Sequence, residues 1–516
     1  MKKITAIFLL IVPLVVFIQG CTNDLDTQPR VELTLDELLN QDPQAVNGIL
    51  SRLYASFALS GPDGPGSSDI DDDAGESPFL RGIVNLQDFT ADAMKNRWGD
   101  DGLDQLTTTS NWDENNKFFR YLYNRIYYTI PQANNLLLVL GAVDLEGKDG
   151  IEGEVRFIRA LAYYYLIDCF GKGVLATEEN YGASDPLPEV DRQTLFAYVE
   201  SELLAAEELL PDTNEYGRAN KTVARMLLAK LYMNAAVYTG TQRFDDAATY
   251  VTKVIDQGSY SLDPDFVAIF SGDNNLSNEI IFPLIADAQT SQSYGNTTYI
   301  VNGSLGTETM TLSDYGAEEG WSGHRSTKAW YGLFNDGDLA NSTDVRASLF
   351  WTEGHSYEMT DYKKWTDGYP AIKFRNTNFY SASNPTSFSS TDFPLFRLAD
   401  AYLMYAECAI RGAAGASMST ALGYVNAVRT RSNASTVAQA DLTLDFILDE
   451  RARELNFEGH RRSDLIRFGK FTGGDYLWPW KGNTLNGTSI PDTYNLFPIP
   501  LTALEANENL TQNPGY

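Results

Sequence analysis

The chain has 516 residues and sets Lys+Arg 39 against Asp+Glu 69, a formal net charge of -30. That balance argues against nucleic acid as a partner, because phosphate backbones demand basic patches, and against peripheral binding to anionic lipid. The length leaves room for a large core and, taken alone, for about three domains.

Lys2 and Lys3 form a short positive start, residues 4–18 are apolar with Pro13 as an interruption, and Gln19-Gly20-Cys21 follows. A membrane-spanning helix needs about 20 apolar residues, so this run fits the h-region of a secretory signal peptide covering residues 1–20. The small Gly20 before Cys21 looks like a bacterial lipobox, whose cysteine is diacylated and becomes the mature N-terminus. Cys21 is therefore the expected lipidation site. Cys169 and Cys408 lie in apolar helical patterns, where a free cysteine is a small core residue, and a disulfide framework is not expected.

Residues 61–113 contain GPDGPGSSDIDDDAG and NRWGDDG, too long a loop for a simple connection and too aromatic for a linker. The run DIDDDAG has alternating carboxylates like the start of an EF-hand. It carries Ala74 at the sixth place and Leu80 at the twelfth, where that loop needs Gly and Glu. The histidines, at 324, 355 and 460, lack zinc spacing. No metal and no cofactor is expected.

Helices are expected around residues 116–260 and 395–470, and three segments share one template: RFIRALAYYYLIDCFG (156–171), RMLLAKLYMNAAVYTG (225–240) and RLADAYLMYAECAIRG (397–412). Each starts with Arg and places Ala four later (Ala160, Ala229, Ala401), a large apolar residue eight later (Tyr164, Met233, Tyr405) and Gly fifteen later. These positions share a helical face, and the closing Gly suits a left-handed cap. The sub-pattern resembles the second helix of a tetratricopeptide (TPR) repeat. The spacing between segments is irregular, so insertions must interrupt the array. Residues 287–392, with SQSYGNTTYIVNGSLG and NTNFYSASNPTSFSSTDF, are the largest of these, and loops on a rigid scaffold are where binding usually sits.

Residues 450–470, ERARELNFEGHRRSDLIRFGK, gather five arginines, a lysine and a histidine into what reads as about six helical turns. Glu450 with Arg453, and Asp464 with Arg467, are i,i+3 pairs that meet on one face. Catalysis needs a base matched to an open pocket, and His460 has no nucleophile partner nearby in the sequence. The stretch reads as framework.

The lipobox, RFIRALAYYYLIDCFG, RLADAYLMYAECAIRG, VNAVRTRS, residues 450–470, LFPIP and the closing QNPGY occur here in the order found in the SusD/RagB family, and the chain resembles that family over nearly its whole length. The segments GPDGPGSSDI, SPFLRGIVNLQDFTADA and RWGDDG resemble the branch with the starch-binding founding member. KGVLATEEN departs from the family's Gly-x-Val-Pro-Leu at that place. The resemblance implies a mainly α fold over residues 21–516, a TPR-like helical-repeat scaffold with long, irregular, aromatic-rich loop insertions. It implies a surface-exposed outer-membrane lipoprotein that is not an enzyme. Such a protein captures a glycan for a SusC-like TonB-dependent outer-membrane transporter.

Sugar rings stack their C–H faces on aromatic rings, and their hydroxyls suit Arg and carboxylates. Trp98 lies in NRWGDDG beside Asp101, Trp321 in EEGWSGHR, and Tyr294 and Tyr299 in the loop before it. The resemblance places Asp73, Arg81, Trp98, Tyr294 and Trp321 near the glycan, with Asp101 beside them. Trp478 and Trp480 are expected to pack the C-terminal region. Alternatives are a peptide-binding member of the same family and a surface glycoside hydrolase, which would need two carboxylates at a set separation in a cleft.

Overall fold

The computed structural model describes residues 34–70 and 73–516; Cys21 and the signal-peptide reading lie outside the described residues. The longer helices are α1 (Ala45–Ala58), α2 (Lys117–Ala142), α3 (Lys148–Cys169), α4 (Arg192–Leu209) and α5 (Lys221–Met233). After these come α6 (Phe244–Asp256), α7 (Leu398–Ile410), α8 (Met418–Arg431), α9 (Leu444–Leu455) and α10 (Arg461–Arg467). Five of them start with a side chain that accepts from otherwise orphaned N–H groups: Asn116 before α2, Asp191 before α4, Asn220 before α5, Ser417 before α8 and Thr443 before α9. No described helix is long and apolar enough to cross a membrane.

From α2 to α8, each helix packs on the next in chain order. The sequence template accounts for this. Ala160, Ala229 and Ala401 are buried, as are Tyr164, Met233 and Tyr405, so the small residue lets the neighbour approach while the large one fills the seam. Gly171, Gly240 and Gly412 all adopt the left-handed region, at φ of 80, 76 and 78°. Two details depart from the template. Arg397 stands just before α7 rather than within it, and the second segment breaks at Asn234 before a short helix, Ala235–Thr239, resumes.

The largest insertion separates α6 from α7, yet α6 still packs on α7. Its root is closed by an antiparallel ribbon of β4 (Ile280–Leu284) and β6 (Phe393–Arg397), which pairs Pro283 with Pro394 and Leu284 with Phe393. Two further ribbons join β1 (Met94–Asn96) to β5 (His324–Ser326), and β2 (Gly173–Val174) to β3 (Glu189–Val190). The atypical KGVLATEEN thus forms β2, and its Glu178 pairs with Arg159 of α3. One apolar cluster runs from Leu39 to Ile499 and includes residues of both the helices and the insertion.

The expected loop 61–113 is not loop throughout. Phe79–Ile83 is α-helical, Val84–Phe89 is a π-helix, and both are buried, so these residues are core. Tyr299 is likewise not a loop residue. It lies in a short helix, Thr297–Ser304, fully buried, and its hydroxyl donates to Asn85 Oδ1 at 2.7 Å.

Candidate functional site: an aromatic surface joined by a two-strand ribbon

The β1–β5 ribbon brings together two loops far apart in sequence. Met94 opposes Ser326 and Asn96 opposes His324, and Arg97 N–H extends the pairing to the Gly323 carbonyl at 3.1 Å. Trp98 leaves the end of β1 with its backbone N–H donating to Asn96 Oδ1 at 2.7 Å, and its indole Nε1 donates to the Trp321 carbonyl at 3.1 Å. Gly323 is required here: a Cβ on it would lie 2.3 Å from the Trp98 ring. Below the ribbon, His324 accepts at Nδ1 from the Asn96 amide (2.9 Å) and donates from Nε2 to the Tyr299 carbonyl (2.9 Å). Burial, with help from the nearby Arg81 and Arg325, lowers its pKa to about 3, so it is neutral.

Trp98, Trp321, Tyr294 and Phe388 form a continuous run of ring contacts. Ring centres lie 6.4 Å apart for Trp98 and Trp321, 6.5 Å for Trp321 and Tyr294, and 4.9 Å for Tyr294 and Phe388. Both tryptophans are half-buried and Tyr294 is 42 % exposed, so the run faces solvent. Trp321 Nε1 donates to Glu319 Oε2 at 3.0 Å.

Of the remaining expected residues, Arg81 lies beneath the rings rather than at their edge. It is 7 % exposed, and its guanidinium sits 4.4 Å from the Tyr299 ring centre and 6.0 Å from that of Trp98. Its Nη1 donates to the Gly75 carbonyl at 3.1 Å, and its side chain pairs with Glu76 at 3.4 Å. Asp73 is exposed, and its Oδ1 accepts from the N–H groups of Gly75 and Glu76 at 2.9 Å each. That turn abuts Tyr294, since a Cβ on Gly75 would be 3.5 Å from Tyr294 Cβ. Asp101 has a side chain 93 % exposed and lies 3.8 Å from Lys117, which also pairs with Glu76 at 2.7 Å. The expected residues are thus gathered around one surface, with Asp101 the most weakly held. Phe388 and Glu319 were not singled out in the sequence. An aromatic flanked by serines in NPTSFSSTDF was the available signal for Phe388.

The arginine-rich stretch is internal. It forms two helices, α9 and α10, rather than one, because Phe457 and Gly459 take positive φ of 69 and 74° between them. Glu450 pairs with Arg453 at 3.0 Å and Asp464 with Arg467 at 2.7 Å. Longer connections dominate. Glu454 pairs with Arg346 at 2.8 Å, Arg397 at 2.7 Å and also Arg431; Arg451 bridges Asp400 and Asp464; Arg461 reaches Asp92 at 2.7 Å. Burial alone would raise the Glu454 carboxyl, but Arg431, Arg397 and Arg346 hold it below the ordinary carboxylate range. Trp478 is buried against Phe471, and Trp480 packs on Tyr362 at 5.0 Å. Asp69 of the EF-hand-like run pairs with Arg125 at 2.7 Å, Asp71 and Asp72 lie outside the described residues, and no acidic, His or Cys group among the described residues is arranged to hold a metal.

Two family models match the chain: "SusD family" over residues 349–516, and "Starch-binding associating with outer membrane" over residues 76–233. The chain is 33 % identical to the starch-binding protein SusD of Bacteroides thetaiotaomicron, covering 97 % of this chain and 96 % of that one. A SusD-like protein of Bacteroides ovatus is 23 % identical, over 76 % of this chain and 72 % of its own. Among solved structures, the surface glycan-binding protein A from Bacteroides thetaiotaomicron in complex with laminarihexaose superposes with a TM-score of 0.70 at 19 % identity, over 91 % of this chain and 99 % of that one. A SusD superfamily protein from Bacteroides vulgatus gives 0.70 at 22 % identity, over 92 % and 99 %. With a full-length relative above 30 % identity and a mostly helical fold shared with these structures, the chain belongs to the SusD family.

Proposed function

We propose that the protein binds a neutral glycan on the surface formed by Trp98, Trp321 and Tyr294, and passes it intact to a TonB-dependent outer-membrane transporter. The observation that carries this reading is the run of rings from Trp98 to Phe388, assembled by the β1–β5 ribbon and open to solvent. Successive rings give successive sugar units an apolar face. Exposed carboxylates of Asp73 and Asp101 border the surface and suit hydroxyl groups. Arg81 stiffens the rings from below. Starch is the first ligand to test, because the 33 % identical relative is named for binding it. A binding role is also supported by the arginine-rich stretch, whose charged groups pair with buried partners, several from distant segments, rather than facing an open pocket.

Calorimetric titration of protein lacking residues 1–21 with soluble starch and with laminarin tests the reading. At least one should bind, and Trp321→Ala should cost on the order of thirtyfold in affinity, equivalent to about 2 kcal/mol for a central aromatic anchor. Equal affinity in that variant would remove the aromatic surface from the account. Attachment through Cys21 carries its own check: several acyl chains hold stably where one is marginal, so Cys21→Ala should move the protein from the membrane fraction to the soluble one. The transporter should co-purify with the lipidated protein from detergent-solubilised membranes.

A further inference from the structure

Residues 376–390 form a closed loop with two aromatic ends. Asn376 is its clasp. Its Nδ2 donates to the Gly316 carbonyl at 3.0 Å, Thr386 Oγ1 at 2.8 Å and the Phe388 carbonyl at 3.3 Å, and its Oδ1 accepts from Ser390 N–H at 2.7 Å. One leg carries Phe388, in the ring run described above. The tip carries Phe379 and Tyr380, which are 42 and 50 % exposed and whose ring centres lie 5.0 Å apart at 79°.

This tip is held in place. The N–H groups of Phe379 and Tyr380 both donate to the buried Asp273 carboxylate, at 2.6 and 2.9 Å. Gly272 lies so close beneath that a Cβ on it would be 2.8 Å from the Asn376 carbonyl oxygen. Two exposed aromatic rings on a fixed backbone offer contact area at low ordering cost.

We infer that Phe379 and Tyr380 form a second aromatic contact for the same glycan chain, extending the candidate site from Phe388 to the tip of this loop. The inference rests on the glycan-binding reading above. Phe388 lies eight positions after Tyr380, so their Cα atoms are at most about 28 Å apart, within the span of one polysaccharide segment. The surroundings favour a sugar over a protein. Protein interfaces close over a contiguous apolar core depleted of charge, whereas Ser381, Ser383 and Asn384 around this pair are exposed, short and polar. Asp263 accepts from the Tyr380 hydroxyl at 3.4 Å and Asp265 is exposed nearby, which disfavours anionic polymers and leaves neutral ones.

The test compares the unaltered protein with the double variant Phe379→Ala, Tyr380→Ala, using maltotriose, amylopectin and laminarin in calorimetric titrations with thermal melts alongside. Polymer affinity should fall ~tenfold, while the trisaccharide affinity and Tm hold. The conservative pair Phe379→Tyr, Tyr380→Phe should keep polymer affinity, which separates ring loss from loop damage. Polymer affinity equal to that of the unaltered protein overturns the inference alone, and is what a protein-docking surface would give. If the unaltered protein binds neither polymer, the glycan-binding reading falls and this one with it.

Discussion

Trp98 and Trp321 contact each other but have different surroundings, and their substitutions should differ accordingly. Trp98 is enclosed by Gly323, Arg81 and His324, and its indole is bonded to the opposite loop. Trp98→Ala should therefore lower stability by about 2 kcal/mol, below the range for a fully buried Trp, as well as weaken glycan binding. Trp321 spends its indole N–H on the exposed Glu319, so its loss should fall on affinity. Paired melts and titrations would show the contrast, and equal losses of Tm would contradict it. Gly323→Ala offers a sharper probe. The added methyl must displace the Trp98 ring, so glycan affinity should drop although every aromatic residue is retained. The tryptophans were legible in the sequence because Trp among Gly and charge has little to bury against. The support from Arg81 and Tyr299 was not legible, since nothing local marks an arginine as stacked beneath a ring.

Two buried histidines each make the folded chain less stable in acid. His324 and His460 are both buried, and their pKa values are lowered from 6.5 to about 3. For His460 burial is the main cause, and the neighbouring Lys230 adds to it. The unfolded chain binds more protons than the folded one between those values, so stability is lost as pH falls below 6.5. Each histidine would contribute roughly 2 kcal/mol of loss between pH 6.5 and 5. Asp88 and Asp392 act in the opposite sense, because burial raises their carboxyls to about 8 and about 6 and their protonation favours the folded chain as pH falls. The histidine share is therefore read as a difference: between pH 7 and 5, Tm should fall less or rise more in His460→Asn than in the unaltered protein, and an equal change in both would refute the reading of His460.

At the level of elements, the legible parts were those with a local period. The Ala and Gly template gave the helices, because a 3.6-residue repeat is written within one turn of its neighbours. The β1–β5 ribbon was not legible: three-residue strands over two hundred residues apart leave no periodic trace. The break between α9 and α10 had one signal, Gly459, and the structure shows why it matters. Gly459 has φ of 74°, its N–H donates to Asp88 Oδ2 at 3.1 Å, and a Cβ would lie 2.6 Å from Ile83 Cγ2. Gly459→Ala should destabilise by about 1–3 kcal/mol, read as a shift in urea midpoint with unchanged slope. A midpoint equal to that of the unaltered protein would mean that the turn tolerates a side chain.

Across the whole molecule, the insertion and the helices are tied by buried charge. Arg346 and Lys373 come from the insertion, and they neutralise Glu450, Glu454 and Glu458 at the end of α9 and just beyond it. Removing one partner of a buried pair costs about 3–5 kcal/mol, so Glu454→Ala should lower both Tm and folded yield. Replacing residues 287–391 by a short turn would strand several carboxylates at once. That variant should fail to give a protease-resistant helical core, although the β4–β6 ribbon would leave its chain ends adjacent. The sequence showed the arginines but not their partners, because the pairs join segments up to hundreds of residues apart.

The packing of α6 on α7 also sets an order of events in time. Helix α6 packs on α5, which precedes it in the chain, and on α7, which begins only at Leu398. Until α7 docks from beyond the insertion, the part of α6 that it covers stays open to solvent. Contacts of such long sequence separation form slowly, so the chain with α7 still undocked is the species most exposed to aggregation and most in need of a holding chaperone.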